Sequence, residues 1–129
     1  KMLRNDMAAY KARAEAVRHA EVYRGSFAIS VCPGENVESP TIVGAQAANE
    51  LLNIVGIKAS FVLTEYNGKI YVSSRSIDEI NVQLIMERLG GGGHLNVAGA
   101  QLTNCTVLQA KHIIQDTLDE MLKEGDIQE

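Results

Sequence analysis

The chain has 129 residues, of which 46% are hydrophobic and 22% charged, and its formal net charge at pH 7 is -4. A chain of this length and composition can bury the core of one globular domain, and it lacks the low hydrophobicity of a disordered segment. The negative charge excludes a general binding surface for long nucleic acids, so an anionic ligand needs a local site.

The cysteines and the apolar runs exclude two further classes of protein. Cys32 and Cys105 are too few for a disulfide framework and lack the spacing of a zinc site, which indicates free thiols in a reducing compartment. No apolar run approaches the roughly 20 residues that cross a bilayer, and the first residues do not resemble a signal peptide. Because the chain begins inside a helical pattern, we expect it to be part of a longer protein.

The first part of the chain predicts two helices and a strand. Apolar residues with helical spacing predict a packing helix over residues 6–22, and alternation over residues 26–31 predicts a strand. Ser39 and Pro40 are typical of the N-cap and first position of a helix, which we expect to end at Gly56. The predicted buried stripe of this helix is Val43, Ala47, Leu51 and Ile54.

The middle of the chain predicts a tight hairpin. Residues 58–66 and 69–74 have the composition of strands, and Asn67-Gly68 between them is the pair that a two-residue turn favours. Arg75 and Ser76 follow at the end of the return strand, where a rigid element can present polar groups to a ligand. Arg75 can donate two hydrogen bonds to one phosphate, and the alternative is a solvated charge at a strand end.

Beyond the hairpin, the pattern predicts a short helix, a turn and a strand. Asn81 is a favourable N-cap for a helix over residues 82–89, and this capping role alone is sufficient to explain it. We expect a short helical turn at residues 95–98 and a last strand at residues 100–104.

A final helix and the order of all elements complete the predicted fold. Thr106 and Gln109 form a capping box that opens a helix over residues 107–123. The order of helices and strands predicts the α/β class, with a single domain and a mixed β-sheet of about four to five strands flanked by helices. The inward side chains of the final helix are predicted to be Ala110, Ile113, Ile114, Thr117, Leu118 and Met121.

Four consecutive glycines, Gly90 to Gly93, precede His94. This segment can take positive φ angles and approach a ligand, and its free N–H groups can form a concave nest for an anion. The helical turn expected next would add its dipole, and His94 can donate to a phosphate oxygen. A glycine-rich helix end followed by a loose loop is the plainer alternative. Because His94 and the Arg75-Ser76 pair accompany the glycines, we interpret the segment as a phosphate-binding site.

These motifs resemble those of a known family. Arg75-Ser76 after a strand, Asn81-Val82, and the pattern Gly-Gly-Gly-Gly-His-x-x-x-Ala-Gly ending at Gly99 are similar to the DHH-associated domain. That domain is the C-terminal, substrate-binding half of the DHH phosphodiesterases. The resemblance covers residues 22–121. Residues 78–102 are most similar to the membrane-bound cyclic di-AMP phosphodiesterases of Gram-positive bacteria.

The resemblance divides the chain and assigns its ligand contacts. It implies a connector helix toward a DHH domain at residues 1–23, a DHH-associated substrate-binding domain at residues 24–125 and a tail at residues 126–129. It implies no catalytic residue and no metal ligand in this chain. The implied phosphate-binding residues are Arg75, Ser76, Gly91, Gly92, Gly93 and His94, with Asn81, Ala98 and Gly99 as further candidates.

The side chains that hydrolyse phosphoesters are not clustered in the sequence. The aspartates are scattered, the 3 histidines are far apart, and no Asp-His-His triplet or recognisable nucleophile motif occurs. The resemblance therefore implies that the parent protein hydrolyses cyclic di-AMP to linear di-adenylate with manganese bound in a DHH domain outside this chain. It also implies a cytoplasmic domain whose parent is anchored in the cell membrane.

The expected partners are a cyclic dinucleotide or short nucleotide and the DHH domain of the same parent chain, with a homodimer as an open option. Long nucleic acids and direct membrane contact are not expected. Two other functions stay open: a domain of a short-oligoribonucleotide exonuclease or nucleotide phosphatase, and a non-catalytic nucleotide-binding module. The glycine-histidine site serves each of them, because it contacts phosphate and not the base.

Overall fold

The computed structural model describes residues 7–129, which form one mixed sheet with helices on both faces. The elements are α1 (Met7–Arg18), β1 (Glu21–Tyr23), β2 (Phe27–Cys32), α2 (Pro40–Leu51), β3 (Ala59–Tyr66), β4 (Lys69–Ser76), α3 (Val82–Arg88), β5 (Gly92–Gly93), β6 (Val97–Leu102) and α4 (Val107–Glu124). Within these residues the sheet has 6 strands in the order β1-β2-β3-β4-β6-β5. Strands β2 and β3 are parallel, and the other neighbours are antiparallel. The predicted α/β domain with a mixed sheet is confirmed, with six strands where four to five were expected.

Large apolar side chains fill the space between the sheet and helices α3 and α4. Phe27 and Phe61 lie on neighbouring strands with their ring centroids 6.4 Å apart, and both are fully buried. Ile114 and Leu118 of α4 pack against the same face of the sheet. Burial of this apolar surface is the dominant stabilising contribution to such a domain. Other large buried members of this core are Ile29, Leu63, Ile70, Ile80, Ile85, Met86 and Met121.

Small side chains lie between the opposite face of the sheet and helices α1 and α2. Ala47 and Ala48 of α2 are fully buried, so this helix packs close to the strands. The hydroxyl of Ser60 donates to the Ala48 carbonyl at 2.7 Å, and the hydroxyl of Ser30 donates to the Ala16 carbonyl. Both carbonyls lie in the last turn of their helix, where backbone acceptors lack an intrahelical partner. Two buried serines therefore hold α1 and α2 on the sheet.

Three local predictions are confirmed. Asn67 and Gly68 have φ angles of 51° and 73°, as the two-residue hairpin turn between β3 and β4 requires. The Asn81 side chain accepts hydrogen bonds from two backbone N–H groups in the first turn of α3. Thr106 and Gln109 form the reciprocal capping box at the start of α4. Each of these structures depends on local interactions, which the sequence specifies directly.

Two predicted helical segments are wrong. The first helix was expected to reach residue 22, but it ends at Arg18, and Glu21–Tyr23 pairs with β2 as an edge strand. Three residues are too few for alternation to be distinguished from helical spacing. The helical turn predicted at residues 95–98 is a bend that leads into β6, because the backbone of β5 pairs with β6. Residue 6, the predicted helix start, lies outside the described residues.

The buried stripes of two helices are shorter than predicted. Helix α2 ends at Leu51, so Ile54 lies beyond it and is 45% exposed. Pro40 occupies the first turn as expected, whereas the Ser39 side chain makes no capping hydrogen bond within residues 7–129. In α4, Ile113 lies at the border of the apolar face and is 38% exposed.

Residues 126–129, predicted as a tail, pack against the domain. Ile127 is buried in the core beneath α4. Glu129 forms a salt bridge with Arg24, and the Arg24 guanidinium also donates to Asp119 of α4 at 2.7 Å. The hydroxyl of Tyr23 donates to the same carboxylate. The end of the chain, α4 and β1 are therefore joined by a group of charged and polar contacts.

Candidate functional site

Strand β4 presents different side chains to the two faces of the sheet, because side chains alternate along a strand. Its even-numbered residues, from Ile70 to Ser76, are buried toward α3 and α4. The odd-numbered residues Tyr71, Ser73 and Arg75 are half-buried on the opposite face. Helix α2 packs over β2 and β3 on that face and leaves part of β4, β6 and β5 uncovered. We call this uncovered part the open face.

Arg75 and His94 lie in one row across the open face. Arg75 of β4 pairs with Val97 of β6, and the N–H of His94 donates to the Val97 carbonyl at 2.7 Å. Because directly opposite residues share a face, the side chains of Arg75 and Val97 project to the same side of the sheet, and the His94 backbone adjoins Val97. Two strand spacings place the Cα atoms of Arg75 and His94 about 10 Å apart. We call Arg75, Val97 and His94 the phosphate row, after the phosphate-binding role that the sequence predicts for Arg75 and His94.

Arg75 differs from the other arginines in residues 7–129 because no carboxylate pairs with it. Its Nη1 donates to the carbonyl of Ser74 at 2.9 Å. Burial lowers the pKa of the Arg75 guanidinium, yet an arginine side chain stays charged at neutral pH. A half-buried charge without a counter-ion is costly, and an anionic ligand offsets that cost. The arginines that form salt bridges are Arg13, Arg18, Arg24 and Arg88.

Most N–H groups of the glycine segment are engaged within the domain. Gly90 and Gly91 donate to carbonyls at the end of α3 at 3.1 Å and 2.8 Å, and His94 donates to β6. The expected nest of successive free N–H groups is therefore not formed, and the N–H of Gly91 is unavailable to a phosphate. The expected helix dipole after His94 is also wrong, because a bend and a strand follow. The segment ends α3 and then forms an edge strand.

The glycines of the segment differ in the space that is available for a side chain. A Cβ at Gly91 would lie 2.7 Å from the Cα of Ala100, and a Cβ at Gly93 would lie 2.5 Å from the Cα of Ala98. Both positions face β6 so closely that only glycine fits. Gly92 is different, because no described atom beyond its chain neighbours comes within 4 Å of a Cβ added there. Gly92 therefore leaves open space on the open face.

A groove of about 520 Å³ lies on the open face beside the phosphate row. This volume is in the range of small-molecule sites. Small residues form its floor, the N-terminal turn of α2 forms one side and the start of the glycine segment forms the other. We call it the glycine groove, and the residues that define it are Thr41, Tyr71, Ser73, Gly91, Gly99 and Gln101.

Three other predicted site residues have structural contacts of their own. Ser76 is buried on the face toward α3 and α4, which we call the closed face, and its hydroxyl donates to the Ile80 carbonyl at 2.6 Å. Asn81 caps α3. Ala98 is buried against the core beneath α4. The structure places Ser76, Asn81 and Ala98 away from the phosphate row, and only Gly99 of the further candidates lies in the glycine groove.

The cavity at the ends of β2 and β3 does not offer an alternative anion site, and the described residues do not group into a metal site. A cavity of about 410 Å³ at the ends of β2 and β3 is lined by Glu35 and Glu65 and by no basic side chain. No group of three His, Cys, Asp or Glu side chains in the described chain could hold a metal ion. The family resemblance implied manganese in a DHH domain outside this chain, and that expectation stays a prediction. The same part of the chain has no helix long and apolar enough to cross a membrane.

No sequence motif indicated that Tyr71, Ser73, Thr41 and Gln101 line one groove. The signal for two of them was present, because Tyr71 and Ser73 alternate with buried residues on the same strand as Arg75. Gln101 lies directly opposite Tyr71 on β6, which requires the strand register. Thr41 comes from α2, and only the packing of that helix brings it to the groove.

Comparisons with known proteins show which family the chain is similar to. The model of the DHHA1 domain family matches residues 24–124. The cyclic-di-AMP phosphodiesterase PdeA of Listeria monocytogenes is 39% identical over 118 residues, which is 91% of this chain and 18% of that protein. The cyclic-di-AMP phosphodiesterase GdpP of Geobacillus thermodenitrificans is 37% identical over 126 residues, 97% of this chain and 19% of that protein.

A solved structure shows the same fold. The crystal structure of an exopolyphosphatase-related protein from Bacteroides fragilis superimposes with a TM-score of 0.77 at 19% identity, over 92% of this chain and 36% of that one. At this identity the likeness concerns the fold alone. The chain spans about a fifth of the length of the two relatives, at 18% and 19%. From the family model and these identities, the chain belongs to the DHHA1 domain family.

Proposed function

We propose that this chain is the substrate-binding part of a longer phosphodiesterase that hydrolyses cyclic di-AMP to linear di-adenylate. The names of the relatives PdeA and GdpP support the reaction, and the alignments with them include 91% and 97% of this chain. The observation that carries the binding role is Arg75, a half-buried cation without a carboxylate partner in residues 7–129, in one row with His94. In this role Arg75 binds a phosphate through two donors, and His94 contacts it from the neighbouring strand.

The proposal assigns binding to this chain and bond cleavage to the rest of the longer protein. Hydrolysis of a phosphoester needs an activated water, which metal ions commonly provide. We therefore expect manganese to be held by residues outside this chain. We also expect the isolated chain to bind nucleotides weakly and to show no turnover when manganese is added. The anchoring of the longer protein in the membrane stays a prediction.

A titration followed by NMR tests the binding role. Inorganic phosphate, linear di-adenylate and cyclic di-AMP are added in turn to the isotope-labelled chain, and the backbone resonances of Gly92, Gly93, His94 and Arg75 are followed. Arg75→Ala is expected to weaken binding of all three ligands by about tenfold or more, because it removes a charge-assisted, bidentate contact. His94→Ala is expected to weaken it less, because one hydrogen bond is lost.

Matched substitutions separate a site effect from a change in net charge. Arg18→Ala removes the same charge from an exposed side chain of α1, and His112→Ala removes an exposed histidine of α4. Neither is expected to change binding. If Arg75→Ala and His94→Ala affect phosphate binding no more than these controls, the proposed binding role is wrong. The order of affinity among the ligands distinguishes a cyclic-dinucleotide site from a site for short oligonucleotides.

A further inference from the structure

The glycine groove has an aromatic wall that the phosphate role does not use. Tyr71 is half-buried on β4 and lines the groove. Its ring lies beside that of Tyr66, with centroids 6.3 Å apart and an interplanar angle of 49°. A positioned aromatic ring at a groove is a stacking platform for a nucleic-acid base.

Gln101 stands next to this ring and offers hydrogen bonds. It lies directly opposite Tyr71 in the pairing of β4 with β6, so both side chains project from the same face. The Gln101 side chain is exposed, and no hydrogen bond is formed by its amide within the described part of the chain. A glutamine amide has one acceptor and donors in one plane. That pair complements the N6 donor and N7 acceptor of adenine, whereas guanine presents two acceptors on the same edge.

The floor of the groove leaves room for a planar ring. Ser73 and Gly99 are directly opposite each other on β4 and β6, and their small size keeps the floor low. Thr41 bounds the groove on one side, and Gly90 and Gly91 bound it on the other. A base can therefore lie between the helix and the glycine segment, with its edge toward β6.

The groove and the phosphate row are separated by a distance suited to a nucleotide. Tyr71 and Arg75 are four residues apart on one strand and face the same side, so their Cα atoms are about 14 Å apart. The Arg75 side chain is long enough to shorten this gap. A ribose and its phosphate can connect a base at Tyr71 to the phosphate row, whereas a free phosphate occupies the row alone.

We infer that Tyr71 and Gln101 form a base subsite that selects adenine, next to the phosphate row. In it the base stacks on the Tyr71 ring, and the Gln101 amide donates to N7 and accepts from the N6 amino group. This inference rests on the proposed phosphate site, which orients the nucleotide. It adds base selection, which the phosphate row cannot provide.

Binding of four probes tests the inference: AMP, GMP, ribose 5-phosphate and inorganic phosphate, each titrated into the 129-residue chain and followed by NMR. The unmodified chain is expected to bind AMP more tightly than GMP and ribose 5-phosphate. Tyr71→Ala is expected to weaken AMP binding about tenfold and to leave ribose 5-phosphate binding unchanged, because only the stacking contact is lost. Tyr71→Phe keeps a ring and is expected to retain AMP binding.

Gln101→Ala tests selection separately from stacking. We expect it to reduce the AMP-to-GMP affinity ratio by about fivefold and to leave phosphate binding unchanged. Because Gln101 is exposed, this variant tests the subsite even if Tyr71→Ala disturbs the fold. Tyr10→Ala and Gln128→Ala, at exposed positions elsewhere, serve as controls.

The outcomes separate the two proposals. If Arg75→Ala weakens binding of every probe while Tyr71→Ala and Gln101→Ala match their controls, the base subsite is wrong and the phosphate site stands. Equal losses for AMP and ribose 5-phosphate in Tyr71→Ala also contradict the subsite. If no probe responds to Arg75→Ala, the phosphate site fails, and the subsite that rests on it fails as well.

Discussion

The two faces of the sheet around β4 use neighbouring residues in opposite ways. On the closed face, Ser76 donates to a backbone carbonyl and is buried together with Val72 beneath α3 and α4. On the open face, Arg75 is one residue away, yet it lacks a carboxylate partner among the described residues. The side chains of the closed face complete the fold, and those of the open face include the residues that we propose to bind a ligand.

This difference shows why a motif and a site are not the same set of residues. The pair Arg75-Ser76 reads as one motif, but alternation along the strand sends the two side chains to opposite faces. The glycine segment divides in the same way, because Gly91 and Gly93 face β6 closely while Gly92 faces open space. A motif can therefore combine residues that bind with residues that hold the binding residues in place.

The largest expected effect compares two neighbouring glycines that differ in their distance from β6. Gly91→Ala is expected to lower the free energy of unfolding by about 2–3 kcal/mol, because its Cβ overlaps the backbone of β6. A Cβ at Gly92 has open space around it, so Gly92→Ala is expected to change the free energy of unfolding by less than about 1 kcal/mol. Urea unfolding monitored by circular dichroism measures both values. Equal destabilisation by the two substitutions would contradict the division of the glycine segment.

A smaller effect compares two serines within the closed face. Ser76→Ala is expected to lower the free energy of unfolding by about 1–2 kcal/mol, because the buried carbonyl of Ile80 loses its hydroxyl donor. Ser74→Ala is expected to be neutral or stabilising, because the Ser74 hydroxyl is buried without a hydrogen-bond partner in residues 7–129. Thermal and urea unfolding of the two variants check this order. A larger loss in Ser74→Ala than in Ser76→Ala would show that the Ser74 hydroxyl has a partner.

The smallest expected effect is a change of stability with pH that depends on the contacts of Asp119 in α4. The hydrogen bond from Tyr23, and after it the one from Arg24, lowers the pKa of Asp119. A carboxyl with a lowered pKa in the folded state stabilises the fold above its unfolded pKa of about 4 and loses this contribution as the pH falls below that value. Stability should therefore decrease on acidification below about pH 4. Arg75 has no carboxylate partner in the described residues and contributes nothing to this change.

Asp119→Asn provides the measurement for this pH effect. Urea midpoints are compared between neutral pH and about pH 3 for the unmodified chain and the variant. The variant is expected to lose less stability on acidification, because its side chain does not titrate. Other carboxylates contribute equally to both proteins and cancel in the comparison. Identical pH dependence of the two proteins would show that the contacts of Asp119 do not stabilise the fold.

The elements that the sequence predicted well depend on local interactions. The hairpin at Asn67-Gly68, the cap at Asn81 and the capping box at Thr106 each involve residues at most three positions apart. Their side chains and backbone preferences act within one turn, so no tertiary contact was needed to infer them. The order of most helices and strands followed from the same signals.

The parts that the sequence did not predict depend on strand pairing. β5 has two residues, and neither its glycines nor its length indicates a strand without the partner β6. Prediction of a helical turn after His94 failed for this reason. The sequence indicated only that Arg75 and His94 lie close together, because the register of β4 and β6 decides which side chains share a face. Tyr71 and Gln101 remained unnoticed because their pairing depends on the same register.

The two cores of the domain differ in how much of the chain must be synthesised before each can form. The buried residues beneath α1 and α2 lie between Ala12 and Val62, whereas the core beneath α3 and α4 extends from Phe27 to Ile127. During synthesis, the first core can assemble once β3 has left the ribosome, and the second has to wait for the residues after α4. Contacts over so long a separation also form slowly. Because Ala98 and Ala100 of β6 belong to the second core, the floor of the glycine groove is fixed only when α4 docks. Nascent chains in which α4 is still inside the ribosome are therefore expected to lack the proposed ligand site.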